Sequence, residues 1–533
     1  MNDLSLKKNK ITYYIILVSL IFLCIIGSVF LGSSFLFIFK IPITRINFLI
    51  FPIIAIVVIK YLFKKDNEKI SWTFLIFTLL SFFLISGILA IVCNYIWDYS
   101  YDSLWYHQEG IVRLAKDWNP FYEWQPKDIN IWVNHYAKAP WIFAATICKI
   151  TGYIETGKIL SVLLPIISGF LSFAIFYLIT KGRIFLSSIG ALILIMNPVN
   201  ISQIFTYYVD SQQGCYIIFL LMILYLIIFT KGFKYFKYFS LFNIAIFLSN
   251  IKFTGLAYSI AILGMYLIYV FITKENNKKI KVFNFLLISL IITVGIVGFN
   301  PYITNIINKG NPLYPLAGKE KIDIMTDNIP SEFRYDNEFN KLIKSLIAYP
   351  IDENIYGNRT DLKDMFVLNE DVIKYYSNTD PRVRGFGIYS PIFFPITLLL
   401  MCILLIISKN KKVKIVSILC LIGLIGITLY GGEFWWARYM AFTWIFPVLT
   451  AILCCINKKN IIKISGSFLL VLLFINSITL IPSLKYKIKK GKDSREYFFS
   501  ISKPIEILND KFKYSKVNKA EEYHISYIIK EIN

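Results

Sequence analysis

The sequence predicts an all-α polytopic membrane protein, and three observations predict it. Hydrophobic residues fill 56% of the 533 positions and the mean hydropathy is +0.60, more apolar surface than a soluble fold could cover. Apolar runs near the length of a bilayer crossing, about 20 residues, recur along the chain. Lys and Arg gather in the short stretches between those runs, as topological charges do.

Taken in order, the runs give about thirteen candidate spans. They begin at 11–32, 44–63, 71–93, 158–180 and 183–198. They continue at 212–230, 238–251, 253–273, 282–300 and 389–408, and end at 413–430, 440–456 and 461–482. The segment 238–251 is short. The segment 137–152 is apolar but too short to span, and reads as a surface or re-entrant helix. The first run follows Lys7, Lys8 and Lys10 as a signal peptide would. It is long, however, and no small-residue cleavage site ends it cleanly, so a retained helix is expected. The eight Cys lie in or beside apolar runs without metal-ligand spacing and are expected as buried free thiols.

A net charge of +23 would suggest nucleic acid in a soluble chain. No basic face with base-reading residues accompanies it, so no nucleic-acid partner is expected, and the partner of the apolar surface is the lipid bilayer. The basic clusters are Lys7–Lys10, Lys64–Lys69, Lys181–Arg183, Lys231–Lys237, Lys274–Lys281, Lys409–Lys414 and Lys458–Lys463. The span count puts all of them, and the N-terminus, on the cytoplasmic side. The same parity puts 94–157, 199–211, 300–388 and 431–439 together outside. The tail 483–533 also falls outside, although its Lys485–Lys492 cluster violates the rule. The expected plan is a transmembrane domain, 1–482, with outer loops 94–157 and 300–388, and a basic tail, 483–533. Most spans carry no Asp, Glu, Lys or Arg at mid-length, which weakens a transporter reading.

The outer stretch 97–141 reads WDYSYDSLWYHQEGIVRLAKDWNPFYEWQPKDINIWVNHYAKAPW. Asp102, Tyr106, Glu109 and Arg113 are spaced as one face of a helix that would lie flat on the membrane. A carboxylate at this interface could accept the proton of an attacking hydroxyl. Equally, Asp98 could cap a helix and Asp102 could pair with Arg113. His107 and His135, with Asp98, Asp102 and Glu109, would suffice for one divalent metal ion, but they match no defined site. Distant segments add Asp210 after two tyrosines, Lys252 in NIKFTG and Arg438 in GGEFWWARYM. Cations at such boundaries are either interfacial anchors or partners for a phosphate. His107, Glu109, His135, Lys138 and Asp210 are the candidate substrate-binding groups. The segment 300–388 opens with NPY and GNPLYP, where Pro dictates turns, and could fold as a lid.

Several blocks in this order resemble the GT-C superfamily of membrane glycosyltransferases. They are DYSYDSLWYH with DWNPFYE, NHYAKAPW leading to TGYIETGK, NIKFTG, GNPLYP and WWARYM. Together they cover roughly residues 95–450. The resemblance implies a GT-C-like fold and sugar transfer from a polyprenyl-phosphate carrier, undecaprenyl phosphate in a bacterium. The acceptor would be a cell-envelope glycan, lipid or protein at the outer face of the inner (plasma) membrane. It also implies that an acidic residue of the first outer loop is the base. Asp102 matches best, because Tyr106 and His107 follow at the family-like distance, and Asp98 is second. Lys252 or Arg438 would stabilise the leaving phosphate. The Asp-Glu dipeptide of the protein O-mannosyltransferase branch is absent from this first loop, and the Trp-Trp-Asp of oligosaccharyltransferases is missing, so N-glycosylation of proteins is not expected. Two alternatives stand beside this reading. A lipid-linked oligosaccharide flippase would need repeated halves with broken helices, and no internal repeat is visible. An O-antigen polymerase or ligase would carry Arg and His in a large outer loop, whereas here the acidic loop comes early.

Overall fold

Apolar runs become helices because a backbone in lipid must satisfy its own hydrogen bonds. The structure is a computed structural model and describes residues 4–5, 9–126, 129–273, 276–324, 328–348, 366–409, 414–415, 418 and 435–501. Among the described residues, ten helices are long and apolar enough to cross a bilayer. They are Lys10–Ile38, Asn47–Lys65, Trp72–Tyr95, Ile154–Ile179, Asp210–Phe229, Phe253–Thr273, Asn276–Val297, Ser390–Ile407, Ala437–Cys455 and Asn460–Tyr497. The chain is thus an all-α polytopic membrane protein. Side-chain caps set some of the starts: Asn9 Oδ1 accepts from the Thr12 N–H, and Ser71 Oγ from that of Phe74, each at 3.1 Å.

Three of the thirteen expected spans fare differently. The run 183–198 yields only the 12-residue helix Ile184–Ile195. Asn197 stops it by capping a new short helix that opens at Pro198. Twelve residues rise about 18 Å, well under a hydrocarbon core of about 30 Å. The run 238–251 becomes Lys234–Ser249, which takes in Lys234 and Lys237 and stays at 16 residues. The run 413–430 lies largely outside the described residues.

One end of the bundle collects basic clusters. Leu4–Ser5 pairs in parallel with Thr230–Lys231. Asn9 Nδ2 donates to the Tyr177 hydroxyl at 2.8 Å, and Asp66 accepts from the Tyr235 N–H at 2.9 Å. Arg183 Nη1 donates to the Cys455 carbonyl at 3.4 Å. The loops flanking residues 10, 66, 181, 231 and 458 therefore share that end.

The opposite end holds the long loops. Asn119 Nδ2 and the Tyr122 hydroxyl donate to the carbonyls of Phe37 and Ile38, each at 2.9 Å, which seats the first loop on the far end of Lys10–Ile38. Helix Ala139–Thr151 has both ends here, since Ala139 N–H donates to Asn250 and Lys149 carbonyl accepts from Arg45. It does not cross. It is no surface helix either, because Ala139 through Cys148 are all buried. Helix Gln108–Ala115 is packed inside the protein: Ile111, Leu114 and Ala115 are 0% exposed. Gly110 lets it slide under Trp141, whose ring would stand 2.5 Å from a Cβ there.

The start of the basic tail belongs to this end as well. Helix Ile481–Ile501 packs against the first loop, with Trp97 N–H donating to the Gly491 carbonyl at 3.1 Å. Lys487 Nζ donates to the Ser377 carbonyl at 3.2 Å, and Lys490 lies 4.9 Å from the Tyr99 ring centre. Of the Lys485–Lys492 cluster, Lys487 is buried against the loops, whereas Lys485, Lys489, Lys490 and Lys492 are exposed. Residues 502–533 lie outside the described residues.

Candidate active site

Five separate segments meet at the loop end, and each delivers a charged side chain. Asp102 comes from the first loop, at the entry to a wide helical turn, Ser103–His107. Asp210 opens helix Asp210–Phe229, where unpaired N–H groups favour an anion. Lys252 follows helix Lys234–Ser249, and Arg438 opens the segment leading into Ile445–Cys455. The fifth segment is 378–382. It runs beside Arg438 because Ala437 N–H donates to the Arg382 carbonyl and Arg438 N–H to that of Pro381. That pairing delivers Asp380.

Arg438 is the hub. Its Nη2 lies 3.3 Å from Asp102 Oδ2, its Nε 3.4 Å from Asp210 Oδ2 and its Nη1 3.4 Å from Asp380 Oδ1. Lys252 Nζ is 2.6 Å from Asp210 Oδ1, and Gln203 Nε2 donates to Asp210 Oδ2 at 3.1 Å. Because Asp210 starts one helix and Lys252 ends the next, this pair also shows that Lys234–Ser249 returns the chain to the loop end. Asp380 is held by Arg382 at 2.9 Å and by Trp436 Nε1 at 2.6 Å. Aromatic faces surround the cations: Lys252 Nζ is 3.9 Å from the Tyr439 ring centre, and the Arg438 guanidinium is 5.1 Å from those of Tyr208 and Tyr439.

Electrostatics follow from this setting. Burial pushes the Asp102 carboxyl up, Arg438 pulls it back, and the like charges of Asp380 and Asp210 push it up again. The net shift is upward, which makes Asp102 a better proton acceptor than a solvated carboxylate. Burial also lifts the Tyr106, Tyr136 and Tyr208 hydroxyls far above the ordinary range, so they remain protonated donors.

The other expected site residues are placed as follows. Asp98 is buried beside the cluster but apart from it. Its Oδ2 accepts from the Tyr207 N–H at 2.7 Å and its Oδ1 from Ser100 Oγ at 2.5 Å. It fastens the first loop to the segment before Asp210. His107 stands behind Tyr106, and its Nδ1 accepts from Trp141 Nε1 at 2.7 Å. Burial lowers its pKa to about 3, so it is neutral. Asp102 does not pair with Arg113. Arg113 Nε binds Glu109 at 2.5 Å, because the wide turn at 103–107 breaks the single polar face expected for this helix. His135 Nδ1 lies 2.7 Å from Asn305 Oδ1, between Trp124 and Tyr314. Lys138 Nζ donates to the Tyr136 carbonyl at 2.8 Å and to Asn300, and burial lowers its pKa well below the usual lysine value. His135 and Lys138 thus tie loops together, Glu109 pairs within its own helix, and none of the three shows an ion pair to the Arg438 cluster among the described residues.

The five candidate metal ligands therefore do not converge. Among the described residues no three His, Cys, Asp or Glu side chains are grouped as a metal site needs. The sequence reading missed Asp380, Arg382, Gln203 and Tyr208. All four lie in segments that the charge parity had already put together, and Tyr208 is one of the two tyrosines before Asp210. No family model, curated protein or solved structure matches this chain.

Proposed function

We propose that the chain is a membrane glycosyltransferase of GT-C type, taking its sugar from a polyprenyl-phosphate carrier. One observation carries this reading. A mostly buried carboxylate with a raised pKa, Asp102, faces two cations, Arg438 and Lys252, at the loop end of a membrane bundle. Base and phosphate-binding charge within one site are what displacement of a phosphate leaving group requires.

In this reading Asp102 takes the proton of an acceptor hydroxyl as its oxygen attacks the anomeric carbon. The bond from that carbon to the carrier oxygen breaks, and the electron pair leaves with the polyprenyl phosphate. Arg438 and Lys252 offset the charge on that phosphate. Attack opposite the leaving group inverts the anomeric configuration. The site faces outward from the inner membrane, since the basic clusters gather at the other end. Acceptors are hydroxyl-bearing cell-envelope glycans, lipids or proteins. The test is to incubate purified protein with a panel of undecaprenyl-phosphate sugars and a cell-envelope extract. Release of undecaprenyl phosphate with a sugar-mass gain on an acceptor supports the proposal. Consumption of no donor in the panel rejects it.

A further inference from the structure

Arg438 divides itself among three carboxylates, giving one nitrogen to each at 3.3–3.4 Å. None of these is the forked contact of about 2.7–2.9 Å that Arg makes with a single carboxylate or phosphate. The three partners are not held alike. Asp210 is anchored by Lys252 and Gln203 at 2.6 and 3.1 Å. Asp380 is anchored by Arg382 and Trp436 at 2.9 and 2.6 Å. The Asp102 carboxylate has Arg438 as its one polar partner among the described residues. It is also the most exposed of the three, with 17% of its side chain accessible against 4% and 12%.

We infer that an anionic phosphate arriving at Arg438 displaces Asp102 and leaves Asp210 and Asp380 in place, so that donor binding itself releases the base. The inference rests on the reading of the chain as a polyprenyl-phosphate-dependent transferase. A phosphate oxygen takes over Nη2, and the displaced carboxylate turns toward its exposed side with its charge unpaired. There it faces a bound acceptor rather than a guanidinium. Loss of its direct ion pair to Arg438 beside two like charges favours the protonated form, which strengthens it as a base. Before the donor arrives, Asp102 is occupied. The site therefore binds the donor first and has an active base only afterwards.

The experiment measures binding of undecaprenyl phosphate to the full-length protein in lipid nanodiscs, with no acceptor present. Asp102→Asn removes the carboxylate that competes for Arg438, so the carrier should bind about fivefold more tightly, the scale of one partly exposed ion pair. Asp210→Asn and Asp380→Asn remove the same charge but loosen Lys252 or Arg438, and should not tighten binding. If simple repulsion ruled instead, all three variants would tighten alike. That result, or no gain for Asp102→Asn, overturns the displacement. Asp102→Ser, read in the same way, takes the place of Asp102→Asn if the latter fails to fold. Absence of carrier binding by the unsubstituted protein removes the functional reading itself, a failure distinct from the other two.

Discussion

Arg438 Nη2 lies 3.3 Å from Asp102 Oδ2 and joins the loop after helix Trp72–Tyr95 to the segment that leads into Ile445–Cys455. The contact closes a ring of charge drawn from five chain segments.

Asp102 must be ionised to act as a base, and its pKa is raised above the usual 3.8, chiefly by burial. Activity, as kcat/KM, should therefore rise with pH through a midpoint higher than that of a free carboxylate. The sign for stability is opposite. The folded chain holds this proton more tightly than the unfolded one, so the group's stabilising contribution is lost as pH rises through the raised value. A pH–rate profile lacking any acidic limb would remove Asp102 from the base role.

Asp98 serves the fold rather than the chemistry. Asp98→Ala removes the stronger acceptor of the Tyr207 N–H and of the Ser100 hydroxyl and leaves both to share Ser103 Oγ, at 3.2 and 2.8 Å, at a cost of about 1 kcal/mol for each hydrogen bond lost. A lowered melting temperature is expected. Unchanged stability with abolished turnover would instead make Asp98 the base.

Much of this arrangement was legible in the sequence, and the reasons are physical. Apolar length identified the long helices, because a bilayer demands about 20 residues whatever their order. Charge asymmetry grouped Asp102, Asp210, Lys252 and Arg438 at one end, because loop charge follows the side of the membrane. The wide turn at Ser103–His107 left no mark, since an i→i+5 turn has no spacing signature. The assumed phase then grouped Glu109 with Asp102, although Glu109 turns to Arg113. Lys138 and His135 were placed in the site by chemistry alone, yet their partners Asn300 and Asn305 come from a distant segment. Asp380 depends on the backbone pairing of 381–382 with 437–438, a non-local event with no periodicity to announce it.

Arg438→Lys keeps the charge but offers one ammonium where three nitrogens met three carboxylates. Donor use should weaken roughly tenfold, the loss of about one charge-assisted hydrogen bond. Arg438→Ala leaves Asp102 without its cation and should lower stability by about 3 kcal/mol as well. Full donor use by the Lys variant, across a range of donor concentrations, would mean that the residue is only a membrane anchor.

The orientation is tested by labelling single introduced cysteines in intact cells with an impermeant reagent, against the unsubstituted chain as background. Tyr101 is 56% exposed and Asn337 is exposed, both at or near the loop end, whereas Lys459 is exposed at the basic end. Tyr101→Cys and Asn337→Cys should react and Lys459→Cys should not. The reverse pattern would place the site on the cytoplasmic side.

The central claim is that Asp102 drives sugar transfer from a carrier whose phosphate Arg438 receives. The most direct measurement compares the unsubstituted protein with Asp102→Asn in one assay, release of undecaprenyl phosphate from the donor that the protein consumes. The account predicts a rate at least about 10²-fold lower for Asp102→Asn, with both proteins folded to the same melting temperature. Equal rates of carrier release from the two proteins would contradict it.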